Sequence, residues 1–211
     1  MPERAVLFID GNNWYHGLRK INLGDLGRLD YRKISEKLVG RRDWTGTRYY
    51  IGRVKQRDST QLYADQRRFL GQLTSTDQRI TTHLGRLETR PFKNPAAHEL
   101  RRYLGQLHTR IDGAVYHDLM DIAQRHGDSM VTVEKAVDVM LAIDIAVMAE
   151  RNQFDAAYLL SADGDFTPAV EVAKSHCKKV YAVSPLYGAQ LAAITDSFIR
   201  LPRSWFDDCY C

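Results

Sequence analysis

Short runs of uninterrupted apolar residues alternate along the chain with longer segments in which apolar positions recur every three or four residues. Ala5-Val6-Leu7-Phe8-Ile9 is one such run, cut by the turn residues Asp10-Gly11-Asn12-Asn13. It reads as a central strand of a parallel sheet, buried on both faces. The spacing then predicts a helix over residues 14–19, with Asn12 or Asn13 as its N-cap. A short helix follows over 32–39, where Ile34 and Leu38 lie four apart, and 47–51 reads as a second strand. Residues 61–73 predict an amphipathic helix with Leu62, Phe69, Leu70 and Leu73 on its apolar side. The alternation over 79–87 predicts a third strand.

Pro91 to Pro95 interrupts the pattern. Two short helices, 97–107 and 114–125, then form an excursion at about 90–128. Residues 132–151 are apolar on almost all sides, through Val133, Val137, Leu141, Ile143, Ile145 and Met148. They predict one buried helix. A fourth strand over 156–160 runs into Ser161-Ala162-Asp163-Gly164-Asp165-Phe166. A helix at 167–175, a fifth strand at 179–183, a helix at 189–194 and a short edge strand at 197–201 complete the chain. Alternating strands and helices, with strands apolar on both faces, predict an α/β fold. The sheet is expected to be mainly parallel and five-stranded, within one domain spanning 1–211.

The composition fits this picture and removes several classes. At 44% hydrophobic and 27% charged residues over 211 positions, the chain can build a substantial globular core. No stretch approaches the roughly 18 apolar residues of a membrane span, so no membrane partner is expected. The N-terminus runs straight into a strand with no signal-peptide pattern, and a cytoplasmic location is expected. Cys177 stands alone, and Cys209 with Cys211 is not a disulfide framework. Zinc fits poorly, because no Cys or His pair lies at ligand spacing near a second pair.

Charge is unevenly spread. Residues 1–110 carry 22 Lys and Arg against 11 Asp and Glu, whereas 111–211 carry 8 against 15. A basic half suits an anionic partner such as nucleic acid; an acidic half suits a solvated surface or a metal site.

In parallel sheets, ligands bind beyond the carboxyl ends of the strands. Asp10 ends strand one, and Asp163 and Asp165 lie just past strand four. If those strands are neighbours, three carboxylates converge. Such a cluster repels itself and calls for a hard divalent cation, Mg²⁺ or Mn²⁺, which takes carboxylate oxygens and bridges to phosphates. In isolation Asp10-Gly11 would be an Asx-type turn, and Asp163-Gly164-Asp165 resembles the start of a calcium loop whose later ligands are missing. Asp138 sits in the apolar helix, where a lone carboxylate is costly, unless it pairs with Lys135 three residues earlier. Asp144, six residues on, points about 120° away around the helix and is expected to be a supporting or structural partner.

These residues together resemble the NYN domain of the PIN-like nucleases, most closely the bacterial LabA-like branch. The resemblance rests on Asp10-Gly11-Asn12-Asn13, on Lys135-Ala136-Val137-Asp138 with Asp144, and on Ser161 through Phe166, in this order and with these flanking strands. It implies a PIN-like three-layer α/β/α sandwich and Mg²⁺- or Mn²⁺-dependent cleavage of phosphodiester bonds, most often in RNA. By the same resemblance, Asp10, Asp138, Asp163 and Asp165 match the acidic positions, Asn13 supports the first of them, and Ser161 is the small hydroxyl residue before the acidic pair. Ala136 departs from the family, which commonly has Gly there, and 90–128 does not align to the family core.

The expected protein is therefore a metal-dependent nuclease, RNA-directed ahead of DNA-directed, in which Lys135 and Asn13 orient carboxylates or phosphate. Arg48, Arg53, Lys55, Arg86, Arg90 and Lys93 flank the ends of strands two and three and are expected phosphate contacts. Tyr49, Tyr50 and Phe92 could stack bases, although core packing is the commoner use of such tyrosines. Surface near the excursion could serve a homodimer. A catalytically silent nucleic-acid-binding or assembly module is the alternative, marked by loss of an acidic ligand. A phosphotransfer receiver domain would want a lone Asp after strand three, where Leu87-Glu88 stands.

Overall fold

The computed structural model describes residues 1–56, 59–125 and 127–210, with side chains throughout these except 89–93, 128–132 and 134. Its strands are β1 (Arg4–Asp10), β2 (Asp43–Arg53), β3 (Ile80–Lys93), β4 (Asp128–Lys135), β5 (Ala156–Leu160), β6 (Lys179–Ser184) and β7 (Ser197–Arg200). Its α-helices are α1 (Gly11–Lys20), α2 (Tyr31–Val39), α3 (Thr60–Thr76), α4 (Pro95–Leu107), α5 (Gly113–Arg125), α6 (Val137–Glu150), α7 (Thr167–Ser175) and α8 (Ala189–Ile194). The chain divides into two compact units, one of residues 1–86 and 135–211, the other of 87–134. The excursion expected at 90–128 falls inside the second.

In the first unit β1 lies between β2 and β5, and β3, β2, β1, β5, β6 and β7 follow one another, every pair parallel. Strand residues alternate between faces. One face carries Leu7, Ile9, Tyr49 and Leu160 against Trp14 of α1, Ile34 of α2 and Leu73 of α3. The other carries Phe8, Tyr50 and Leu159 against Leu141 and Ile145 of α6 and Val170 of α7. With both faces covered, the strands can be apolar throughout, and all five residues of β5 are buried. The result is the three-layer sandwich. In the second unit α4 packs with α5, and β4 stands next to β3 in the strand order.

Four expectations change. The sheet has more than five strands, because β4 and β7 join it. The helix expected over 132–151 is a strand followed by a helix: β4 runs to Lys135, Ala136 takes a left-handed φ of 70°, and α6 begins at Val137. Its burial is one-sided, with Val137, Leu141, Ile145 and Ala149 inside but Val139 and Ile143 exposed. Pro91 does not end its strand, and β3 continues to Lys93. Pairing with β2 stops at Arg53–Arg86, so the later residues lack a ladder on that side, where proline is tolerated. The N-cap of α1 is Asp10, not Asn12 or Asn13.

At the amino end of the sheet Arg4 and Asp155 tie β1 to the start of β5. The Arg4 backbone N–H donates to Asp155 Oδ2 at 2.8 Å, and its guanidinium makes an ion pair with the same carboxylate. Arg42 donates to Glu3 and to the hydroxyls of Tyr158 and Tyr181.

Candidate active site

β1 and β5 are neighbours, with Ile9 beside Leu160 in register. Asp10 and Ser161 therefore emerge side by side at the carboxyl end of the sheet. Asp10 is only 3% exposed, and both of its carboxylate oxygens accept hydrogen bonds. Oδ1 takes the Asn13 backbone N–H at 3.1 Å, capping α1, and Oδ2 takes the Ser161 hydroxyl at 3.0 Å. Ser161 Oγ accepts the Asp163 N–H at 3.1 Å, and Asn13 Oδ1 accepts the Ala162 N–H at 3.1 Å. Asp163 Oδ1 accepts the Asp165 N–H at 3.0 Å, capping a 3-10 turn over Gly164–Phe166. The two strand-end turns are thus stitched into one network.

Glycine is required at Gly188, where a Cβ would sit 2.5 Å from the Ala162 carbonyl oxygen. One on Gly164 would sit 1.4 Å from Gln190 Oε1, the end of a flexible side chain that would have to swing aside. Gln190 is a polar neighbour of the acidic turn that motif spacing does not reveal.

Asp138 lies in the first turn of α6, where the helix dipole favours negative charge. It is exposed and, among the described residues, makes no ion pair with Lys135, which is exposed too. Charge still couples it to the network. Burial foremost, and then the charges of Asp138 and Asp163, push the Asp10 carboxyl up to about 6 against the hydrogen bonds from Asn13 and Ser161. Partial burial and the charges of Asp163 and Asp165 likewise raise Asp138. Charge thus links the four carboxylates pairwise, Asp10 with Asp138 and Asp163, and Asp138 with Asp163 and Asp165.

Asp144 is paired elsewhere. Arg48 Nη2 donates to Asp144 Oδ2 at 2.9 Å and the Tyr50 hydroxyl donates at 2.6 Å. His83 stacks on Tyr50 with ring centroids 4.7 Å apart. Arg48 is held within the protein by this pairing rather than offered to a ligand. Tyr49 and Tyr50 are core residues. Arg53, the last residue of β2, and its Cα partner Arg86 within β3 are exposed, and neither makes an ion pair among the described residues. Lys55 is partly buried just beyond them. The side chains of Arg90, Lys93 and Phe92 lie outside those described.

The donor set suits a hard cation, being carboxylate oxygen held in mutual repulsion. Among the described residues no three His, Cys, Asp or Glu side chains are grouped so as to hold one ion. That still fits Mg²⁺, which is commonly bound through one or two carboxylates with water and phosphate oxygens filling its remaining positions. No described helix is long and apolar enough to cross a membrane.

Among solved structures, a protein of unknown function from Vibrio parahaemolyticus aligns at a TM-score of 0.55 and 19% identity, covering 100% of this chain and 97% of that one. That likeness shows the fold. A second structure, described in connection with the mechanism and regulation of Sir2 enzymes, aligns at a TM-score of 0.38 and 10% identity over 96% of this chain and 88% of that one. It carries no argument. No curated protein matches. The sequence matches the NYN domain over residues 4–202, nearly its whole length and including the aspartates at the sheet end, so the chain belongs to the NYN domain family and shares its PIN-like fold.

Proposed function

We propose that this NYN-family chain is a metal-dependent nuclease that hydrolyses phosphodiester bonds, RNA ahead of DNA. The observation that carries the reading is the joining of Asp10 to the Asp163–Asp165 turn through Ser161 at the carboxyl end of the sheet, where the charges of Asp138 and Asp163 add to the burial that raises the Asp10 carboxyl. A protein does not keep such a cluster for stability, since each added charge raises its neighbours' cost of ionisation.

Asp10, Asp138, Asp163 and Asp165 are the residues that would hold Mg²⁺ or Mn²⁺, which when bound lowers the pKa of coordinated water and neutralises charge at the scissile phosphate. The chain's own contribution is orientation. Asn13 and Ser161 fix Asp10 through one hydrogen bond to each oxygen. Ser161 and Asp163 together set the direction of the acidic turn. Lys135, exposed at the end of β4, would meet phosphate or a carboxylate.

The test is Asp163→Asn. Asparagine keeps the Oδ1 that caps the Asp165 N–H, so only charge is lost. Cleavage of labelled RNA with Mn²⁺ is expected to vanish while the thermal midpoint stays the same or rises. Cutting at the wild-type rate would refute the assignment. Among the described residues no three carboxylates are grouped for one ion, which favours one second reading, a nucleic-acid-binding module that does not cut. Failure of the wild-type protein to cleave single-stranded RNA, structured RNA or DNA with either cation would select it.

A further inference from the structure

The residues that follow Asp10 open onto a groove of about 570 Å³ on the α1–α3 side of β2. Asn12 and Tyr15 of α1, Tyr49 and Ile51 of β2, and Leu62, Asp65 and Phe69 of α3 line it. The volume is that of a small-molecule site. Two of its lining side chains stand largely in water, Tyr15 at 46% and Leu62 at 61% exposed. Large apolar side chains left in water around one concavity mark a place where something binds.

The surroundings say what kind of ligand. Residues on a strand alternate, so Arg53, two beyond Ile51, lies on the groove's face of β2, with Arg86 beside it in register. Two exposed cations without an ion pair among the described residues suit a polyanion next to an apolar slot. The Asn12 side chain is exposed and makes no hydrogen bond among the described residues, leaving a donor and an acceptor free for a planar polar edge. Aromatic and aliphatic walls, a free amide and a flanking pair of arginines together describe a nucleotide: a base inside, its phosphate outside. Asp10 is the residue before Gly11, which also lines the groove.

We propose that this groove holds one unpaired nucleobase of a nucleic-acid strand, making the protein selective for single-stranded segments. The inference rests on the nuclease reading for its substrate. A paired base cannot enter, because its faces are stacked and its edge is occupied. Stacking and apolar enclosure of one base are worth ~1–3 kcal/mol by alanine substitution, which sets the size of the effect.

The test is fluorescence anisotropy in EDTA, where no cleavage can occur, using a single-stranded RNA 12-mer, the DNA equivalent and the corresponding duplexes. Tyr15→Ala and Leu62→Ser are each expected to weaken single-strand binding roughly tenfold, leaving duplex binding unchanged. A scan of single abasic positions, read with the wild-type protein alone, is expected to find one register that loses a similar factor. In Tyr15→Ala that abasic penalty is expected to shrink. Unchanged single-strand affinity in both variants together with a flat abasic scan overturns the proposal. So does an equal loss on duplex. If the two substitutions instead alter only the sedimentation of the protein, the groove belongs to a second protein chain and the proposal fails. Tyr15-sensitive binding without metal-dependent cleavage would sink the nuclease reading and leave the groove standing. Cleavage of single strands with no base dependence would do the reverse.

Discussion

Asp10 carries two duties in one side chain, closing the N-terminus of α1 through Asn13 and facing the charges of Asp138 and Asp163. Its sequence context offered an Asx-type turn or a ligand as alternatives, and the structure realises the turn without excluding the ligand. Burial raises its carboxyl from 3.8 to about 6. Below pH 4 the group is protonated whether the chain is folded or not. Between about 4 and 6 the unfolded chain gives up the proton while the folded one keeps it, so folding becomes less favourable as pH rises. The shift corresponds to about 3 kcal/mol. Urea midpoints measured in chelator from pH 4 to 7 are expected to fall across that window, and Asp10→Asn is expected to flatten the fall. A midpoint that climbs steadily over the same range, with no difference in the variant, would contradict the burial argument. Arg48 shows the limit of reading single residues from sequence. It stands in a basic half, yet Asp144, 96 positions away, takes its charge, and no local pattern announces so distant a pairing.

At the scale of elements, periodicity gave most strands and helices to within a few residues and failed over residues 132–151. Residues 131–133 are Val-Thr-Val and 139–143 are again apolar, and the charges at Glu134, Lys135 and Asp138 between them fit a helix as well as a break, so β4 and α6 read as one helical stretch. What divides them is Ala136 at φ 70°, a conformation an alanine does not advertise. The resemblance did carry the clue, since the related domains commonly have glycine at that position, and glycine is the residue that adopts such a φ without strain. Ala136→Gly relieves a left-handed alanine at some entropic cost in the unfolded chain. It is therefore expected to raise stability by up to ~1 kcal/mol, seen as a higher urea midpoint. In the same helix Leu141 is fully buried, and Leu141→Ala is expected to cost ~2–5 kcal/mol. If the glycine substitution lowers the midpoint, Ala136 is not strained.

For the whole molecule, the charge asymmetry and the strand-end rule pointed to an anionic ligand at the carboxyl edge of the sheet, and the acidic residues do emerge there. What sequence could not provide was the neighbour relation of β1 and β5, or the division of the arginines into those spent on internal pairs and those left at the surface. Arg53 and Arg86 are the surface pair. If both meet phosphate, Arg53→Ala with Arg86→Ala is expected to reduce the slope of log affinity for single-stranded RNA against log salt by about 1.4, some 0.7 per contact. Titrations between 50 and 200 mM salt measure it, and an unchanged slope removes these residues from the interface.

The central place of β1 also has a consequence for how the molecule comes into being. The Ser161 hydroxyl that completes the setting of Asp10 lies 151 positions further along the chain. At ~5–20 residues per second of translation, the first strand waits about 8 to 30 seconds beside an absent neighbour. Throughout that interval its inner edge is a site for mispairing, and the carboxylates of the centre have not yet met. Whatever chemistry they perform is withheld until β5 has been made and has slotted in beside β1, so a chain interrupted before residue 161 is inert as well as incompletely folded.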